Sequence, residues 1–147
     1  MADRSRKDAG TFDALLLLKD AGLVAADGAA TVGGQARIVP LGAARMDARV
    51  IVDVTAMEVA SGDEAYRLRM QFSNSSSFAS GIVNGPEMVL GDSSVTGASA
   101  DSAATGRHEF GFTNDLGGVT YEYARLYVDV QGTIATGINF TAWIAKN

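Results

Sequence analysis

His108 is the only histidine in the chain, and cysteine is absent. One imidazole cannot assemble the several-histidine metal site of cupin-type barrels, and without thiols there is no cysteine-ligated zinc. His108 alternates with Phe110 and Phe112, so it reads as a packed side chain. A Ser-His-Asp triad wants its serine on a sharp turn, yet G-x-S-x-G does not occur. Gly91-Asp92-Ser93 resembles an esterase block only superficially, because it opens a run of small polar residues. Asp63-Glu64 reads as a turn. No D-x-D-x-D-G loop is present for calcium, and Gly33-Gly34 leads towards a strand rather than into a phosphate-binding helix. The residues therefore predict no catalytic, cofactor-binding or metal-ligating group, and no enzyme.

The most unusual pattern is a row of Tyr121, Tyr123, Arg125 and Tyr127, with Trp143 expected nearby. Rigid aromatics and arginine are what interfaces concentrate, because they bury large areas at little entropic cost. Three readings fit the row: aromatic pairs covered by the protein's own loops, a subunit or partner contact, and a sugar platform.

The elements that must position these residues are strands. In Asp47–Asn74, Val50, Val52, Val54 and Ala56 alternate with Arg49, Ile51, Asp53 and Thr55. Tyr66, Leu68, Met70 and Phe72 alternate with Arg67, Arg69 and Gln71. Successive strand side chains point to opposite faces, so each strand has a core side and a mostly wet side. Ser61-Gly62-Asp63-Glu64 supplies turn chemistry between them, and the stretch reads as a hairpin. Tyr121–Val130 repeats the scheme, with Ala124, Leu126, Val128 and Val130 inward. Ile138, Phe140, Ala142 and Ile144 close the chain inward, with Trp143 outward. Leu15, Leu16, Leu17 and Leu18 do not alternate, which fits a strand covered on both faces or a short helix. Asp20, Gly22, Asp27 and Gly28 cut a helix too short, which favours an extended segment whose second face another subunit covers. Ala36–Leu41 reads as a further strand with Pro40 at an end or an edge. Phe78–Val83 and Glu87–Leu90 are short apolar pieces, and Gly91–Gly106 is a surface excursion. About eight strands result, at a spacing that suits a jelly roll or another Greek-key sandwich.

With 147 residues and a net charge of −5, the chain is expected to be one β-sandwich domain over residues 13–147, preceded by a flexible arm over residues 1–12. The acidic balance argues against nucleic acid as a partner. No apolar run approaches the roughly 18 residues that span a membrane. The opening MADRSRKDAGTF does not read as a secretory signal.

Several segments together resemble a known family. They are LLLLKDAGLVAADGAATVGGQARIVPLGAARMDARVIVDVTAMEVASGDEAY, FSNSSSFASGIVN and TYEYARLYVDVQGTIATGINFTAWIAK. They are similar to the capsid cement, or decoration, proteins of short-tailed bacteriophages, and the similarity covers roughly residues 13–147. The resemblance implies an all-β antiparallel sandwich of jelly-roll type that binds the outside of an assembled icosahedral head. The implied partners are the major capsid protein and further copies of the chain, as homodimers or homotrimers. The implied location is the outer capsid surface of the virion, after synthesis in the host bacterial cytoplasm. No cofactor is implied, and the family has no catalytic motif to carry over. The expected contacts are the N-terminal arm, Leu15–Leu18, or the row Tyr121, Tyr123, Arg125 and Tyr127 with Trp143. The competing expectation is a glycan-binding or adhesin-type sandwich on a phage particle.

Overall fold

The inward sets of the alternating strands meet in one buried cluster. Val50, Val52 and Val54 pack there with Tyr66, Leu68, Met70 and Phe72, and Leu126, Val128, Ile138, Phe140 and Ile144 complete it. Fully burying one such side chain is worth roughly 1.5–3 kcal/mol, which makes this cluster the main source of stability. A computed structural model describes residues 14–96 and 105–146. The arm expected over residues 1–12, and residues 97–104 of the expected surface excursion, lie outside the described residues.

In chain order the strands are β1 (Leu17–Lys19), β2 (Leu23–Val24), β3 (Gly28–Ala29), β4 (Thr31–Val32), β5 (Gln35–Ala36), β6 (Val39–Pro40) and β7 (Asp47–Met57). After them come β8 (Ala65–Ser73), β9 (Val83–Gly91), β10 (Gly106–Thr113), β11 (Asp115–Leu116), β12 (Val119–Thr120), β13 (Tyr123–Gln131) and β14 (Ile138–Lys146). A single turn of helix, α1, spans Ser93–Thr96, and a 3-10 turn at Ala14–Leu16 precedes β1.

The result is an all-β antiparallel sandwich. One sheet runs β1–β14–β7–β10 and the other β3–β13–β8–β9. Further along the same edges, β2 pairs with β14 and β6 with β13. Among the described residues, counting each interrupted edge once leaves eight strand positions, besides the small ribbons β4–β5 and β11–β12. The segment before β7 thus lines first one sheet edge and then the other, in pieces of two or three residues. Short pieces blunt an edge that would otherwise invite foreign strands.

Three expectations need correcting. The Asp47–Asn74 stretch is two strands as expected, but not a hairpin: β7 and β8 belong to different sheets and face each other across the core. Period-two alternation reports which face is apolar, and an arch between sheets satisfies it as well as a hairpin does. Ala56 is exposed, because the β7–β14 register slips between Asn139 and Phe140 and turns the end of β7 over. The four leucines divide their duties: Leu16 and Leu18 enter the core, Leu17 packs on the outer side of β14, and Leu15 is 77% exposed.

Candidate interaction surface

On β13, Tyr123, Arg125, Tyr127 and Asp129 share the outward face of their sheet, opposite Ser73, Gln71, Arg69 and Arg67 of β8. The expected row is thereby shortened at both ends. Tyr121 lies before the strand begins and leans on the core, with its ring centroid 6.3 Å from that of Phe72. Trp143 belongs to β14 in the other sheet, paired with Ile51, so the sandwich separates it from the tyrosines.

Arg125 is the best-held side chain of this face. Its guanidinium lies 4.6 Å from the Phe78 ring centroid and 5.9 Å from that of Tyr127. Its Nε donates to Gln71 Oε1 at 2.8 Å, and Gln71 Nε2 donates in turn to Asn84 Oδ1 at 3.0 Å. Burial pushes the Arg125 pKa down, since a guanidinium loses hydration between two rings and an amide. Phe78 reaches it from the serine-rich loop after β8, which is folded on itself. Ser73 Oγ donates to Ser80 O at 2.8 Å, and the Phe78 N–H donates to Ser75 O at 3.0 Å. Phe78 has φ of 56°, an uncommon conformation for a bulky residue, stabilised here by burial of its ring. The sequence reading missed Phe78, Gln71 and Asn84. The available signal was one aromatic residue inside a polar run.

Beside this cluster the same face is a charge ladder. Glu87 takes Arg67 at 3.3 Å and Arg69 at 3.1 Å, and Asp129 lies 3.9 Å from Arg69.

The outward face of the other sheet is less wet than alternation predicts. Ile51 and Trp143 are 1% and 5% exposed, and they form a small cluster with Ala145 and Leu17. The Arg107 guanidinium lies 5.2 Å from the Trp143 ring centroid, while its Nε holds Asp53 at 2.9 Å. Trp143 is therefore a packed residue of this face rather than a free contact.

The residues considered for chemistry have structural surroundings. His108 stands opposite Val52 in the β10–β7 ladder. Asp92 accepts the Ser94 N–H at 2.9 Å and the Ser94 hydroxyl at 2.6 Å, which caps α1. Asp63 and Glu64 do more than make a turn. Asp63 takes the Thr133 N–H at 3.0 Å and its hydroxyl at 2.7 Å, while fully buried Glu64 accepts the N–H groups of Ser61 and Asp63. Among the described residues no group of three His, Asp or Glu could hold a metal ion, and no helix is long and apolar enough to cross a membrane.

No protein-family model matches the chain, and no curated protein matches it.

Proposed function

We propose that this chain is a structural virion protein without enzymatic activity, which binds the outer surface of an icosahedral phage head and bridges major capsid subunits. The observation that carries the reading is the outward face of β13. There Tyr123, Arg125 and Tyr127 stand on a strand in the interior of its sheet, held by neighbours on both sides. Such a patch docks with reduced loss of entropy, because Arg125 is already held by Gln71 and by the rings of Phe78 and Tyr127. Exposed Leu15, beside Arg37, Pro40 and Lys146, offers a second contact at the N-terminal edge. The strand order supports reading the sandwich as a jelly roll, and the resemblance over residues 13–147 supports the choice of partner.

Stabilisation would come from repetition. Each contact contributes modestly, while many bridges around a closed shell act together through high effective concentration. The test is co-sedimentation of the purified chain with mature heads of the phage that encodes it, counting bound copies. Saturable binding at hundreds of copies is the expected result. A folded chain left in the supernatant overturns the reading and turns attention to host glycans.

A further inference from the structure

Arg125 differs from the other arginines of its face. Arg67 and Arg69 are ion-paired to Glu87, and Arg69 also approaches Asp129. Arg125 has no ion pair with any described residue: it has two rings and the neutral amide of Gln71. Its Nε is committed to Gln71, and its two terminal nitrogens make no hydrogen bond to a described residue. A partly desolvated cation without a counter-charge is an unfavourable arrangement in the free chain. Here it is reinforced by a bulky residue at positive φ, whose ring holds the guanidinium in place.

We propose that Arg125 is a pre-oriented anion anchor, which takes a single carboxylate through its terminal nitrogens. A planar fork matches two carboxylate oxygens, and an ammonium does not. The face has one positive charge in surplus, since Arg67, Arg69 and Arg125 meet only Glu87 and Asp129 among its strand residues. That surplus suits a monoanion; a phosphate dianion would face Glu87 and Asp129 with its second charge uncompensated. Tyr123 and Tyr127 flank the fork along the strand and would wall the carboxylate from water. The carboxylate chemistry stands on this geometry alone. Its assignment to an acidic side chain of the capsid surface rests on the function proposed above.

The experiment separates those two steps. The Arg125 Nε–Hε resonance of the full chain, assigned by its loss in R125K, is followed during titration with sodium acetate and, at equal ionic strength, with sodium chloride. A saturable shift with acetate alone is expected. An equal response to chloride, no response to acetate, or saturation by a neutral sugar overturns the anchor whether or not the chain binds heads.

Two variants extend the test. Q71E sets a carboxylate against the Nε that Gln71 already holds, so it offsets the charge of the fork while leaving the terminal nitrogens open, and it should weaken the acetate response several-fold. An acetate response of undiminished strength in folded Q71E overturns the anchor. R125K should weaken head binding about tenfold, the equivalent of one charge-assisted contact near 1.4 kcal/mol, with its melting temperature near that of the parent. Undiminished head binding by folded R125K overturns the capsid carboxylate as the ligand.

Discussion

Glu58 and Gly137 bond each other twice: the Glu58 N–H donates to Gly137 O at 3.0 Å, and the Gly137 N–H donates to Glu58 Oε1 at 2.9 Å. The same carboxylate accepts the N–H groups of Ala135 and Thr136 at 2.9 and 2.7 Å. The end of β7 is thereby latched to the turn that delivers β14.

Backbone hydrogen bonds from Gly137, Thr136 and Ala135 hold the Glu58 pKa below its ordinary value of 4.5, and the Thr133 N–H does the same for Asp63 below 3.8. A lowered folded-state pKa means that the folded chain binds fewer protons than the unfolded one. The stabilisation is therefore present above the ordinary carboxylate range and is lost as pH falls through the folded-state values. Melting temperature should fall between about pH 5 and about pH 3, and E58Q should flatten that fall. An identical pH profile in E58Q would remove the latch from the account.

The turn also predicts an intolerant glycine. Gly137 has φ of 89°, and an added Cβ would run into the carbonyl of Val24. Both features penalise any side chain, since positive φ strains L-residues and backbone cannot yield as a flexible side chain can. G137A should lose about 3 kcal/mol in denaturant unfolding. A loss below about 1 kcal/mol would mean that the turn can relax.

Much of the core was legible from alternation, because Val50, Val52, Val54 and the inward sets of β8, β13 and β14 repeat every second residue. What alternation leaves open is the partner of each strand. It is blind to whether Tyr66 lies beside Val54 or across from it, so an arch looked like a hairpin. It was equally blind to Ile51 and Trp143, which are outward by parity and yet buried. The candidate surface was half legible: Tyr123, Arg125 and Tyr127 share a face, but Phe78 and Gln71 reach Arg125 only after folding. The carboxylates of Glu58 and Asp63 bind backbone some seventy residues away in sequence, a separation no local pattern encodes.

Trp143 is the chain's only tryptophan, so its fluorescence reports the outward cluster without interference. Its burial and the adjacent Arg107 guanidinium predict blue-shifted emission and weak acrylamide quenching. R107A should increase quenching and cost about 0.5–1 kcal/mol, since the Asp53 pair is well exposed and the ring contact is a single cation–π pair. Strong quenching in the parent chain would contradict the buried ring.

Lys19 carries the last prediction. Its side chain is buried, and Nζ donates to the carbonyls of Asp20, Gly22 and Phe140 at 2.9, 2.8 and 2.8 Å, so all three ammonium protons are used. The amine also lies 4.5 Å from the Phe140 ring centroid. Burial pushes its pKa down, and nearby Asp20 opposes that shift. The three acceptors come from the residue just after β1, the turn beyond it and the first half of β14, so one side chain fastens the first edge strand to its neighbour. K19M keeps the length of the stem and removes every donor. The carbonyls of Gly22 and Phe140 then lose a charged partner in a site with little access to water, which should cost about 2–4 kcal/mol. K19R retains the charge, but a planar fork fits three converging carbonyls poorly, so it should fall between the parent and K19M. Chemical denaturation checks the order. If K19M proves as stable as the parent, the leucine segment is held by its packing and its pairing with β14, and the lysine is a passenger.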